Sequence, residues 1–418
     1  MSTSQAIQAH YEHYPYPTVT ELQLRAPADH MRGTLNYLLR RRDADAIPKN
    51  ARIWVAGCGT EQAVSWARRF PEGSVLGTDL SQRSLDISQK LAEQLGVRNL
   101  TLQQADLLAY EHKEPFDLVV STGVPHHLPD PDAGLVKVSE VLSPNGAAFL
   151  MVYSRAHRGA LQSFRRTLDI IAPPDKPGEE RFAAASKLLD AVLSADRCAP
   201  LFAQVLEQLR QRRERDPAFV ADALMNPLER CYDIDELLAW LDGAKLRHTS
   251  WYRPEAWDVG AYLEDKELVA RIRQAPEREQ WHAVYNLAGL SGPMLELLAE
   301  PAGQPERSSY SDEEILQMKP LWLAQINGYR VQEGRITEQG EGRVYQEVGD
   351  ALQGRGLSMA YKWQLPAYTK RIFDACDGTK TIAQLQQQLD DTFAPADVLA
   401  LIRQFFPDQL GLMVPNMG

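Results

Sequence analysis

Between residues 51 and 153, short apolar runs alternate with longer stretches in which apolar residues recur every three or four positions. The longer stretches predict helices over 61–70, 82–95 and 134–142. The short runs, which have the length of buried strands, are 52–56, 74–78, 100–104, 116–121 and 147–153. Strands that alternate with helices at this spacing form right-handed βαβ units. The pattern therefore predicts an α/β fold with a doubly wound, mainly parallel sheet that is covered on both faces.

The pattern differs before and after this region. Residues 1–45 contain the segment Tyr11–Pro17, whose three tyrosines and two prolines predict a non-helical strap. The strap either packs on the body or closes as an aromatic lid over a ligand. A helix predicted from His30 to Arg42 ends in three arginines, which suit the negative end of a helix. Leucine- and alanine-rich residues 156–228 predict a helical insertion, acting either as a substrate cap or as a dimer surface.

The chain then returns to the predicted core, which we assign to residues 46–155 plus 229–255. Within the second stretch, residues 232–241 predict a helix and residues 245–252 a strand at the sheet edge. Residues 256–339 predict a mostly helical segment and linker.

The last part of the chain carries its own signals. Residues 301–312 contain prolines, glycine and serines and are the best linker candidate, and Ser311 and Glu314 form a capping box for the helix that follows. Residues 340–418 predict short helices and a terminal strand, which we interpret as a small winged-helix-like accessory module.

Composition narrows the range of partners. The 418 residues carry a formal net charge of −11, which argues against an extended nucleic-acid surface. The chain has no run of 18 apolar residues, so we predict no membrane partner. The cysteines have no metal-type spacing, and their scatter predicts reduced thiols and a cytoplasmic location. They are Cys58, Cys198, Cys231 and Cys376.

Ligand-binding residues are predicted in the loops that follow three of the strands. Glycines at 57 and 59 let the backbone approach a ligand, Asp79 can accept hydrogen bonds from both ribose hydroxyls, and Asp106 can accept from an adenine amino group. The carboxyl ends of parallel strands meet at one edge, where such folds bind ligands. The predicted contacts are Ala56, Gly57, Cys58, Gly59, Thr60, Asp79, Leu80, Asp106 and Leu107. They indicate an adenosine-type cofactor. Gln62 stands where a dinucleotide-binding fingerprint has its third glycine, which argues against a nicotinamide cofactor. The sequence contains no P-loop motif.

Residues 51–155 resemble the class I S-adenosylmethionine-dependent methyltransferases. The resemblance is carried by residues 55–60, 76–81, 104–107 and 116–130, and the strap is similar to that of a bacterial subset of the family. It implies a Rossmann-like fold, S-adenosyl-L-methionine as the cofactor, and additional cofactor contacts from Thr122 and Gly123.

The sequence departs from the family pattern at two positions. Val55 stands where an acidic residue is common, and Glu61 stands where a glycine is common.

The family implies that a substrate nucleophile displaces the methyl group directly from a sulfonium. His126 and His127 follow the fourth strand and are the candidate general bases. We predict no metal, because the histidine pair with Asp130 and Asp132 lacks a third spaced ligand group. The predicted substrate and lid residues are Tyr11, Tyr14, Tyr16, Tyr153 and Arg155.

The resulting hypothesis is a cytoplasmic, bacterial-type methyltransferase that acts on a small molecule or on a peptide side chain. Two alternatives stay open. One is a protein or peptide methyltransferase that recognises its acceptor through the C-terminal module. The other is a non-catalytic cofactor-binding regulator, which the departures at Val55 and Glu61 would favour. A homodimer through the insertion is a further hypothesis.

Overall fold

The structure is a computed structural model. Its described residues are 2–19, 30–42, 44–112, 114–195, 200–289, 292, 294–322, 331–333, 342–346, 364–365, 372, 375–389, 394–403, 406–407 and 413–415. None of the helices in these ranges combines the length and the apolar character needed to cross a membrane.

In the part of the chain that the structure describes, the main sheet has seven strands in the order β3-β2-β1-β4-β5-β7-β6. These strands are β1 (Arg52–Ala56), β2 (Ser74–Asp79), β3 (Leu100–Gln104), β4 (Phe116–Thr122), β5 (Leu142–Val152), β6 (Leu246–Trp251) and β7 (Leu295–Pro301). Strands β1 to β5 pair in parallel, and β7 runs antiparallel to both of its neighbours. The predicted doubly wound, mainly parallel α/β sheet is confirmed, with β6 at one edge.

Helices surround the sheet. Within the described ranges they are α1 (Thr3–His13), α2 (His30–Leu38), α3 (Gln62–Arg69), α4 (Gln82–Gln94), α5 (Pro131–Glu140), α6 (Arg155–Ile171), α7 (Gly178–Leu193), α8 (Pro200–Arg212), α9 (Pro217–Met225), α10 (Ile234–Gly243), α11 (Lys266–Arg273), α12 (Glu277–Ala288), α13 (Asp312–Leu316), α14 (Ile382–Leu389) and α15 (Pro395–Arg403). Short strands β8 (Pro320–Trp322), β9 (Val331–Glu333), β10 (Gly342–Gln346), β11 (Gln364–Leu365) and β12 (Met413–Pro415) lie outside the main sheet.

Local sequence accounts for the helix starts beside the sheet. The Ser81 side chain accepts a hydrogen bond from Ser84 N and begins α4. Asp130 caps α5 in the same way, and Pro131 occupies its first turn, where a missing N–H costs nothing. The predicted capping box of Ser311 and Glu314 is confirmed at α13.

Alternating residues of β1 enter two different cores. Trp54 and Ala56 pack on one face of the sheet with α5 and α10, whereas Ile53 and Val55 pack on the other face with α2 and α3. The period of two is that of a strand whose side chains point to opposite faces. Both faces are therefore apolar and covered, which explains why the strands read as continuous apolar runs.

Two expectations about secondary structure are wrong. The helical reading of residues 256–339 fails at β7, because Leu295–Pro301 inserts between β5 and β6. The strap is helical as far as His13, since both of its prolines follow α1 and neither interrupts its hydrogen bonds.

Two of the three arginines after α2, Arg41 and Arg42, form ion pairs. Arg40 has a φ of 54°, so the chain turns sharply past the helix end. Buried Arg41 pairs with Glu300 of β7, and Arg42 pairs with Glu314 of α13. These two ion pairs connect the end of α2 to β7 of the sheet and to the start of the C-terminal region.

The insertion and the tail have their own apolar clusters. Leu161, Leu189, Leu206 and Leu224 form part of the insertion core between α6 and α9. In the tail, side chains of α13, α14 and α15 pack together with Tyr37 of α2, and β12 pairs with β8. Much of residues 340–418 lies outside the described residues, and the winged-helix-like arrangement stays a prediction.

Candidate functional site

The glycine turn follows β1 directly. Gly57 and Gly59 have φ values of 74° and 54°, a region that favours glycine. The N–H groups of Gly57 and Cys58 donate to the Thr78 carbonyl at 2.8 and 2.9 Å, which folds the turn back onto β2. The Val124 side chain fills the space beside Gly57, since a β-carbon there would lie 2.4 Å from it.

Asp79 ends β2 and contacts the same turn. Its Oδ2 accepts from Gly59 N at 2.8 Å and its Oδ1 accepts from Ser81 N at 2.9 Å. Burial raises the pKa of this carboxyl, and the backbone donors act against that shift. The structure therefore places Asp79 beside the glycine turn, as the ribose assignment requires.

The third loop lies next to the second. Asp79 pairs with Gln104 across β2 and β3, so Asp106 follows on the same edge. The Asp106 carboxylate accepts from Leu108 N at 2.9 Å, and Leu107 is buried. The Leu80 carbonyl accepts hydrogen bonds from the Gln104 and Gln8 side chains.

The end of β4 completes this edge. The Gln62 amide donates to the Thr122 hydroxyl, and Gly123, with a φ of 78°, donates to the Met151 carbonyl at 3.1 Å. Gln62 Oε1 is buried and has no hydrogen-bond partner among the described residues. A buried acceptor without a donor is costly, so this oxygen is suited to bind a ligand N–H.

The strap lies directly over the glycine turn and the loop after β2 (the predicted cofactor loops). The Thr60 hydroxyl donates to the Pro17 carbonyl, and the Ser81 hydroxyl donates to the Tyr11 carbonyl at 3.3 Å. Glu12 accepts from the Gln82 and Arg83 N–H groups at the start of α4. The strap thus contacts the loops after both β1 and β2.

Beyond these loops, a buried polar cluster joins the strap to the insertion. The Tyr11 hydroxyl donates to Asp222 Oδ1 at 2.9 Å, and the Tyr153 hydroxyl donates to Oδ2 at 3.3 Å. Asn226 Nδ2 donates to the Tyr11 hydroxyl at 2.8 Å. Asp222 and Asn226 were not identified from the sequence, where the only signal is a carboxylate within the apolar helix α9.

His126 and His127 lie at the end of β4 beside this cluster. The His126 ring packs on Tyr153 with centroids 3.9 Å apart, and neither of its nitrogens has a partner in the described chain. His127 Nδ1 lies 2.5 Å from the Leu228 carbonyl, whereas its Nε2 is unpartnered within the same ranges. Burial lowers the pKa of both imidazoles, so they are neutral at physiological pH.

The remaining predicted lid residues contact the insertion. The Tyr14 ring stacks on Phe182 of α7, and the Tyr16 ring lies 6.4 Å from that of Phe219 of α9. Arg155 pairs instead with Glu236 and donates to the Cys231 carbonyl. Another arginine lies closer to the cluster, because the Arg158 guanidinium is 3.9 Å from the Tyr153 ring centre. No group of histidine, cysteine and acidic side chains among the described residues has the arrangement of a metal site.

Comparison with known proteins identifies the domain. The sequence profile of a family described as "Methyltransferase domain" matches residues 48–172. These residues form a class I S-adenosylmethionine-dependent methyltransferase domain. The predicted enzyme class and the predicted cofactor are confirmed.

Similarity to full-length proteins extends beyond the methyltransferase domain. The chain is 23% identical over 424 residues to an uncharacterised protein of Synechococcus sp., covering 99% of this chain and 94% of that one. It is 37% identical over 115 residues to trans-aconitate 2-methyltransferase of Deinococcus radiodurans, covering 27% of this chain and 42% of the relative. The chain therefore matches less than half of that methyltransferase.

A solved structure has the same fold. PKMT2 from Rickettsia typhi, in complex with AdoHcy, superposes with a TM-score of 0.65 at 15% identity. The superposition covers 96% of this chain and 77% of PKMT2, so the shared architecture includes regions outside the methyltransferase domain.

Proposed function

We propose that the protein transfers the methyl group of S-adenosylmethionine to a nucleophile on a small molecule or a peptide side chain. The observation that carries this proposal is the position of Tyr11. Its carbonyl accepts from Ser81 beside the cofactor loops, while its hydroxyl donates to Asp222 in the buried polar cluster. One residue therefore joins the cofactor side to a desolvated polar site, which is where an acceptor would be aligned.

The residues at the sheet edge fit the cofactor. A β-carbon added at Gly123 would meet only Met151, at 3.6 Å, so the backbone there leaves room for a ligand. Asp79 would bind the ribose hydroxyls, Asp106 the adenine side, and Gln62 Oε1 the amino group of the methionine moiety. The cofactor, when bound, supplies a methyl group on a positively charged sulfur.

The chain's own contribution is alignment, exclusion of water and, where the nucleophile carries a proton, its removal. His126 and His127 are the bases that we propose for this step, because both are neutral and both have an unpartnered ring nitrogen within the described residues. The strap supplies the exclusion of water, since it covers the turn at Gly59.

Calorimetry with S-adenosylmethionine and S-adenosylhomocysteine tests the cofactor assignment. Wild-type protein should bind both, and Asp79→Ala should lose at least about tenfold in affinity, because it removes a carboxylate that binds ribose hydroxyls. Asp86→Ala is the matched control, since Asp86 is exposed on α4 and should leave affinity unchanged. Equal affinity in Asp79→Ala would show that the ribose site is misplaced.

Methyl transfer is then measured with tritiated cofactor and a cell extract separated by ultrafiltration into small-molecule and protein fractions. Label in the first fraction supports a small-molecule acceptor, and label in the second supports the protein or peptide alternative. Cofactor binding without label in either fraction would favour the non-catalytic regulator.

A further inference from the structure

Asp222 stands out in the described part of the insertion because it is a buried carboxylate whose hydrogen bonds come from three different parts of the chain. It is 5% exposed. Tyr11 belongs to the strap, Tyr153 follows β5 of the sheet, and Asn226 follows α9 itself, donating to Oδ1 at 3.4 Å. Burying a carboxylate costs free energy unless its hydrogen-bond donors are fixed in position around it.

The two tyrosines that donate hydrogen bonds to Asp222 lie where we expect the methyl-accepting substrate to bind. Tyr153 packs on His126, which follows β4, and Tyr11 lies beside Ser81. Asp222 therefore reaches the candidate base through Tyr153 and the cofactor loops through Tyr11.

The hydrogen bonds to Asp222 come without a salt-bridge partner among the described residues. Arg158 and Arg165 both pair with Glu229, and their charges lie near enough to influence the cluster. Within the described residues, the groups that donate to Asp222 are neutral. Burial and, after it, the Asp222 charge raise the pKa of both tyrosine hydroxyls, which keeps them protonated as donors. The Asp222 carboxylate thus accepts a hydrogen bond from each of the two tyrosine hydroxyls, one at each oxygen.

We propose that Asp222 is a positioning residue for methyl transfer, which holds the Tyr11 and Tyr153 side chains in place through its two carboxylate oxygens. This inference rests on the methyl transfer proposed above. It makes α9 of the insertion part of the acceptor site, and it makes closure of the strap dependent on the insertion.

The test compares Asp222→Asn with Asp190→Asn. The first is nearly isosteric and removes the acceptor capacity of one oxygen, so that one tyrosine hydroxyl loses its partner. The second changes an aspartate of the same insertion that lies on the surface, where it pairs with Arg213. Two measurements are made on full-length protein: hydrogen–deuterium exchange of residues 3–19 with S-adenosylhomocysteine bound, and methyl-transfer kinetics on the fraction that accepts label.

In Asp222→Asn we expect faster exchange in residues 3–19, because the strap loses its contact with the insertion. We expect kcat to fall by about 100-fold, as misplacement of aligned groups does, while cofactor affinity changes by less than about threefold. Asp222→Glu should recover part of the loss in kcat, and Asp190→Asn should behave as wild type in both measurements. Tyr11→Phe combined with Asp222→Asn should lose little more than the more damaging single change, because the two residues act through one contact.

Wild-type exchange and wild-type kcat in Asp222→Asn would overturn the inference while leaving the proposed function intact. Additive losses in the double variant would also overturn it, since they would mean that Tyr11 and Asp222 act separately. Absence of methyl transfer by the wild-type protein would remove the proposed function and this inference with it.

Discussion

The backbone carbonyl oxygen of Tyr16 lies 2.5 Å from the position that a β-carbon would take on Gly59. The glycine is therefore required for two reasons. Its φ of 54° is unfavourable for residues with side chains, and the strap occupies the space that a side chain would need. The glycine turn and the N-terminal strap pack this closely because residue 59 has no side chain.

Gly59→Ala should weaken cofactor binding by more than about tenfold, because the strained backbone and the displaced strap both disturb the N–H that donates to Asp79. Calorimetry with S-adenosylhomocysteine measures the loss. Gly159→Ala in α6 is the control, because a β-carbon there meets no atom of the described residues within 4 Å. The change should leave binding intact and add up to about 1 kcal/mol of helix stability. Equal affinities for the two variants would contradict this account.

The parallel half of the fold could be predicted because β1, β2 and β4 contain short apolar runs that end at, or just before, glycine or aspartate. Strand β7 could not, since Leu295–Pro301 is rich in leucine and glutamate, which are good helix formers. Its pairing with β5 and β6 outweighs that local preference, and it has Leu295, Leu297 and Leu298 buried.

In the candidate site, too, some residues could be predicted from the sequence and others could not. Contacts expected at Gly57, Asp79 and Asp106 come from loops that follow successive strands, so their spacing along the chain carries the information. Asp222 comes from α9, more than a hundred residues after Asp106, and its contact with Tyr11 depends on how the insertion folds back. A single aspartate in an apolar helix forms no sequence motif, so its contact with Tyr11 could not be predicted.

The carboxylate of Glu300 is fully buried and accepts hydrogen bonds from the guanidinium groups of Arg41 and Arg307. Glu300→Gln should lower the free energy of unfolding by about 3–5 kcal/mol, because it leaves the buried Arg41 guanidinium without its counter-ion. It also removes one of the two carboxylates that pair with Arg307, which keeps Asp45. Urea unfolding measures the change. Glu140→Gln, which removes an exposed pair with Lys137, should cost less than about 1 kcal/mol. A small loss in Glu300→Gln would mean that water reaches the arginines.

Buried histidines should make the protein less stable in mild acid. Burial lowers the pKa of His10 to about 4, and those of His126 and His127 shift in the same direction. The unfolded chain, with a histidine pKa of about 6.5, then binds more protons than the folded one below that pH. Stability present above about pH 6.5 should therefore be lost progressively towards about pH 4.

Urea midpoints at about pH 7.5 and about pH 5 measure this dependence. His10→Asn should show a smaller difference between the two midpoints than wild type, because one of the suppressed proton-binding groups is gone. An unchanged difference would show that His10 takes up its proton in the folded state.

The cysteines at 58, 231 and 376 are free and buried, and they should resist alkylation. Burial raises the pKa of Cys58 well above its ordinary value and raises those of Cys231 and Cys376 to about 12, so little thiolate exists at neutral pH. Native protein treated with iodoacetamide and digested for mass spectrometry should carry no label at these positions, whereas protein in urea should carry label at all of them. Label on Cys58 in the native protein would mean that the glycine turn opens to solvent, and adding S-adenosylhomocysteine should then slow that reaction.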